Sequence, residues 1–158
     1  MILRFPYMAE PLLGPAPPGL PAAALSRWRP LVPLTIHSLE NASVLFGRVL
    51  VDPGADDTVL PWDAIELLGL SLYPPTAHSL RWRGQVYALR YGQVTLELAD
   101  EEGNVATWTA VAGFTRAPIR YPLLGVCGCL EFFDTTFRGA QRIVELQTNT
   151  SFVQVPVF

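Results

Sequence analysis

Asp52 is the residue around which chemistry can be argued. It sits in Val49-Leu-Val-Asp-Pro-Gly-Ala-Asp-Asp-Thr-Val-Leu, at the end of an apolar, β-branched run and at a sharp Asp-Pro-Gly break. Two carboxylates at hydrogen-bond distance that share one proton can divide a hydrolysis, one acting as base on a water and the other as acid. A glycine two residues after the Asp lets the backbone fold close to the carboxylate and hold it. The chain has a single Asp-x-Gly, so a second such carboxylate must come from a second copy. By itself Asp-Pro-Gly is also a good turn tripeptide, and Asp56 or Asp57 could equally cap a helix starting near Pro61. The weight comes from the company Asp52 keeps: Ala-Asp-Asp-Thr-Val directly after it and Leu123-Leu124-Gly125 far downstream.

The elements that must position these residues read as short strands. Leu31 to Ile36 and Val44 to Val51 have strand texture, and Pro33 suggests an edge position for the first. Pro61 to Leu70 predicts a short helix, with acids in its first turns and Gly69 as its stop. Ala77 to Tyr91 predicts a hairpin turning at Gly84. Gln93 to Leu98 alternates as a half-buried strand does, and Val105 to Ala112 is its antiparallel partner across the polar turn Asp100-Glu-Glu-Gly-Asn. Val126 to Phe133 predicts a second short helix, with closing strands at Ile143 to Leu146 and Phe152 to Phe158. A strand, a glycine-containing turn and a short helix thus occur twice, at 44 to 70 and at 105 to 133. The sum is a small all-β, barrel-like domain over 28–158. Residues 1–27 predict a Pro-rich N-terminal arm, extended and draped or mobile, because prolines at this density prevent both helix and central strand.

Val49 to Leu60 resembles the signature of the retropepsin-like aspartic proteases, in which apolar-apolar-Asp-Thr-Gly-Ala-Asp/Ser-x-Thr-Val precedes the flap. Pro122-Leu-Leu-Gly-Val-Cys-Gly-Cys-Leu-Glu-Phe-Phe is similar to that family's second element, where apolar-apolar-Gly packs under the catalytic loop. The pattern covers about residues 30 to 146 and is closer to the bacterial, single-lobed branch than to viral members. The resemblance implies an acid-protease barrel, one lobe per chain with one or two short helices. It implies a homodimeric aspartic endopeptidase acting on peptide or protein substrates, with no cofactor and no metal. Asp52 would be the catalytic carboxylate, with Gly54, Ala55, Asp56 and Asp57 facing the substrate. Trp82, Arg83 and Gly84 would lie at or near the flap tip, closing over an extended peptide. Pro53, Leu123, Leu124 and Gly125 would support the catalytic loop.

Three positions depart from the family. Pro53 stands where a Thr bonds across the dimer through its hydroxyl and backbone N–H, and proline has neither group. Val126 replaces the Arg that pairs with the equivalent of Asp56 in viral members. The hairpin lacks the several glycines of viral flaps, so Arg81-Trp-Arg makes a bulkier lid. Pro53 keeps a second outcome open, a retropepsin-like peptide-binding or dimerisation module without turnover.

Composition narrows the alternatives. The chain of 158 residues is 50% hydrophobic and only 16% charged, against roughly a quarter charged in an average soluble domain, which makes a subunit interface a natural home for the excess. A net charge of −3 with eleven scattered Arg gives no basic stripe for nucleic acid. No apolar stretch approaches the roughly 20 residues a membrane span needs. The prolines of the first 25 residues interrupt any signal-peptide core, which points to a cytoplasmic setting. Cys127 and Cys129 are too close for an easy disulfide and predict two reduced, buried thiols. His37 and His78 complete no familiar zinc spacing with them and read as surface residues. Neither thiol has a His partner, and no Gly-x-Ser-x-Gly elbow exists.

Overall fold

The first and last strands of the chain lie side by side. β1 (Ile2–Pro6) pairs antiparallel with β13 (Ile143–Thr148), and β12 (Phe133–Arg138) pairs with the other edge of β13. The computed structural model describes residues 1–157. Leu3 and Phe5 alternate with exposed Arg4 and Pro6, so β1 buries one face with Val144 and Leu146 in the common core. Burying side chains of this size is worth roughly 1.5–3 kcal/mol each.

The N-terminal segment expected as one arm is therefore divided. Residues 1–11 are built into sheets, because alternating apolar side chains in β1 and a strand partner after it outweigh the local prolines. β2 (Met8–Pro11) pairs with β3 (Ser26–Arg29), and only the Pro-rich connection between them is draped over the surface. Glu10 of β2 is buried and receives Arg29 at 3.4 Å and Arg120 at 3.1 Å. That pair of ion contacts clamps the hairpin to the loop before β11 (Leu123–Leu124).

A closed barrel forms the body. Its members are β4 (Leu31–His37), β5 (Ser43–Val51), β6 (Val59–Pro61), β9 (Arg90–Ala99), β10 (Val105–Thr115) and β11, in the order β10-β6-β11-β5-β4-β9. The β9–β10 hairpin runs in register from Ala99 opposite Val105 to Arg90 opposite Phe114. Pro33 lies in the part of β4 that β9 does not pair, since that ladder covers only Thr35 to His37. On its other side the β4–β5 register shifts between Val32 and Leu34, and Pro33 sits in that bulge, where a missing N–H costs no ladder bond. Val32, Leu34, Ile36, Leu96, Trp108 and Leu124 fill the interior. Buried Trp108 donates its Nε1–H to the Gly128 carbonyl at 2.8 Å. Trp62 is covered by the Arg116 guanidinium 4.2 Å from its ring centroid, and half-exposed Trp28 by Arg142 at 4.5 Å.

The helix expected after Pro61 is α1 (Asp63–Leu68), ended by Gly69 in the left-handed conformation at φ 61°. The hairpin is β7 (Ser79–Trp82) and β8 (Gln85–Ala88), a two-stranded sheet of its own. Its turn takes positive φ at both Arg83 (48°) and Gly84 (81°), the mirror-image geometry that follows the strand twist. The second helix shrinks to one 3-10 turn, Leu130–Phe132. Gly128 at φ 87° and Cys129 at φ −142° break the helical path, because Gly128 must pass close to Val111. The expected strand over Phe152 to Phe158 is not formed in 152–157; there Val155 N–H makes one bond to the Thr107 carbonyl at 2.9 Å, and Phe158 lies outside the described residues. Among the described residues no helix is long and apolar enough to cross a membrane.

Candidate functional site

Asp52 follows β5 directly, and two chain crossings hold it there. Its backbone N–H bonds the Leu124 carbonyl at 3.0 Å, while Leu123 and Leu124 run parallel to Leu50 and Val51. The Asp52 carboxylate accepts the Gly54 N–H at 2.9 Å, and its carbonyl accepts the Ala55 N–H at 3.1 Å. Ala55 and Asp56 carbonyls then accept the N–H groups of Val126 (2.9 Å) and Cys127 (2.8 Å). The sequence β5–Asp52-Pro-Gly–β6 and the sequence β11–Gly125-Val-Cys are thus laced together residue by residue. Leu124 and Gly125 are buried beneath, while Pro53, Gly54 and Asp56 face solvent and Asp52, Ala55 and Asp57 are half-buried.

Gly125 shows why the second element needs glycine. A β-carbon there would collide with the Asp57 carbonyl and lie 2.8 Å from the Ala55 carbonyl oxygen, closer than any side chain tolerates. Thr58, a residue to which the sequence assigned no role, is the hub of the crossing and is fully buried. Its hydroxyl donates to the Cys127 carbonyl at 2.9 Å and accepts the Gly125 N–H at 3.3 Å. Its backbone N–H also bonds Cys127, and its carbonyl accepts the Gly113 N–H at 2.9 Å. One hydroxyl serving two backbone groups at this burial is worth more than a single bond, since losing it orphans the buried Gly125 N–H, while the Cys127 carbonyl keeps the Thr58 N–H. The Thr in Asp-Asp-Thr-Val was the only available signal.

Asp57 is tied to a residue outside both motifs. The Tyr91 hydroxyl donates to Asp57 Oδ2 at 3.0 Å. Burial, and then the Asp57 carboxylate as acceptor and neighbouring charge, push the Tyr91 phenol up to about 12. Asp56 uses its carbonyl and not its side chain to join the crossing. A cavity of about 340 Å³ opens beside Asp57, Tyr91, Cys127 and Glu131.

The structure gathers Asp52, Pro53, Gly54, Ala55, Asp56 and Asp57 with Leu123, Leu124 and Gly125 in one place. Trp82, Arg83 and Gly84 stand apart at the hairpin tip, and the hairpin meets the loop region through its stem. Leu89, whose N–H bonds the His78 carbonyl, packs against Gly113, and His78 sets its ring edge-on to Tyr91 at 5.7 Å. The half-buried Trp82 has its indole N–H enclosed without a partner, with Arg83 5.8 Å from the ring.

Other expectations around the site change in detail. Cys129 is buried, but Cys127 is exposed, because the crossing spends its backbone on Asp56 and Thr58 and turns its side chain outward. Burial raises both thiols, with Glu131 adding to each and Asp57 and Asp56 to Cys127, so neither is an activated thiolate. His37 is half-buried and lies 3.4 Å from Glu97, whereas His78 is exposed. Set against known proteins, the chain matches no protein-family model and no curated protein sequence.

Proposed function

We propose that this chain is a homodimeric aspartic endopeptidase of the retropepsin-like type, with one Asp52 from each of two copies forming the catalytic dyad. The observation that carries the reading is the Asp52 loop itself. A half-buried carboxylate is aimed by the Gly54 N–H and anchored through its backbone to Leu124, on a barrel with one such loop per chain. Two such loops meeting across a twofold axis bring like charges together, so the pair holds one shared proton in an acidic to mildly acidic range. One carboxylate then takes a proton from a water as it attacks the peptide carbonyl, and the other protonates the leaving nitrogen. The hairpin tip with Trp82, Arg83 and Gly84 closes over the extended substrate. A cytoplasmic setting belongs to the same reading.

The test is Asp52→Asn assayed with an unstructured protein substrate at mildly acidic pH. Hydrolysis by the native chain and its loss by at least about 10³-fold in the variant supports the reading. Equal hydrolysis by both overturns it.

Pro53 favours a second reading. It lies exposed on the loop with neither hydroxyl nor N–H to bond across a dimer. A barrel that binds extended peptides or only dimerises would result, and native protein that binds peptides without hydrolysing them would select it.

A further inference from the structure

We propose that Tyr91 is a positioning residue of the peptide cleft, linking the stem of the β7–β8 hairpin to the Asp57 carboxylate. The inference rests on the endopeptidase reading for its effect on substrate, while the mechanical link stands on geometry alone.

Tyr91 is where three pieces of chain converge. It is the second residue of β9, just after the hairpin and opposite Gly113, and its carbonyl accepts the Tyr73 N–H at 2.8 Å. A β-carbon at Gly113 would lie 3.5 Å from the Tyr91 ring and 3.3 Å from Leu89, so the glycine leaves room for ring and stem together. His78, whose carbonyl closes the base of the hairpin through Leu89, rests edge-on against the ring. At its far end the hydroxyl holds Asp57 Oδ2 at 3.0 Å.

Two consequences follow. Because Oδ2 is engaged, Asp57 presents Oδ1 as its free acceptor, in a fixed direction, for a peptide N–H. Because the same ring is braced by His78, a displacement of the hairpin stem is felt at Asp57. The hydrogen bond is charge-assisted, and such bonds are about twice as strong as neutral ones. The raised pKa of the phenol keeps it protonated, and so a donor, throughout the range in which a carboxylate dyad works.

The experiment compares native protein, Tyr91→Phe, Asp57→Asn and the double variant by hydrogen exchange resolved to the Ser79–Ala88 hairpin. Tyr91→Phe keeps the ring and removes only the hydroxyl. Expected is at least about fivefold faster exchange in the hairpin for Tyr91→Phe, unchanged exchange in the β1–β13 sheet, and a double variant no faster than Tyr91→Phe alone. Hairpin exchange equal to native in Tyr91→Phe, or additive effects in the double variant, overturns the proposal. A second readout uses peptide hydrolysis. Tyr91→Phe is expected to raise KM about tenfold with kcat within about twofold, and a fall in kcat at unchanged KM overturns the substrate-positioning role. Absence of hydrolysis by native protein counts against the endopeptidase reading, and hydrogen exchange then decides on Tyr91 independently.

Discussion

Gly125 lies directly under the Asp57 carbonyl, with no room between them for a β-carbon. The backbone of one loop is the packing surface of the other, and the contact sits two residues from the Leu123 pairing that holds β5 and β6 together. Gly125→Ala must push Asp57 and Ala55 apart, with rupture of the Val126–Ala55 and Cys127–Asp56 hydrogen bonds. Expected is a loss of roughly 4 kcal/mol or more, at the severe end of single substitutions. Urea denaturation checks it, and a variant within about 1 kcal/mol of native would show that the loops can part freely.

Thr58 supports the crossing with chemistry where Gly125 supports it with space. Thr58→Val keeps shape and removes the hydroxyl, leaving the Gly125 N–H and one Cys127 bond unmade in a buried place. The expected cost is about 2 kcal/mol. Thr58→Ser retains the hydroxyl and should recover most of it. Paired melting curves of the two variants separate the hydroxyl from the methyl.

Pro53 sets dimer strength under the endopeptidase reading. Restoring a hydroxyl and an N–H with Pro53→Thr is expected to lower the dimer dissociation constant roughly tenfold, about 1.4 kcal/mol. Sedimentation across micromolar dilution reads it. The same variant should hydrolyse peptide at least as fast as native protein, so stronger association with lower turnover would count against the dyad geometry.

Asp100 gives the fold an acid limit. Burial pushes its pKa up, but hydrogen bonds from the Asn104 side chain and amide and from the Arg4 and Glu102 amides outweigh that and hold it below its usual 3.8. A carboxylate lowered on folding contributes stability fully above its unfolded pKa and loses it as pH falls through the folded value. Stability should therefore drop below about pH 4, and Asp100→Asn should remove that part of the slope. Thermal melts from pH 6 to pH 3 make the comparison.

What could be read in the sequence was what local chemistry dictates. Gly69 ends α1, Gly84 makes the hairpin turn, and the polar run at 100–104 joins β9 to β10, each within its own few residues. The Asp52 loop and the Leu123-Leu124-Gly125 segment were also legible, because a tight crossing imposes residue types on both partners. Distant pairing was not. β1 finds its partner about 140 residues away, with no local turn to announce it, whereas β12 reaches the same strand through the short turn Gly139 to Arg142. The expected helix at 126–133 had the right composition, but Gly128 answered to Val111, a neighbour in space. Tyr91 read as one more strand aromatic, since a hydroxyl that meets a carboxylate 34 positions earlier leaves no pattern in between.

The pairing of β1 with β13 also fixes an order of events in folding. Met1 donates its terminal ammonium to the Thr148 hydroxyl at 3.1 Å, so the sheet that buries Leu3 and Phe5 encloses nearly the whole chain. Closing a loop of that length is an entropic cost met before any contact rewards it, and sequence-distant pairing slows folding. On the ribosome, β1 must wait for β13. Until residues 143–147 emerge, β1 is an unpaired apolar edge, the state in which a nascent chain is most open to chaperones and to wrong partners.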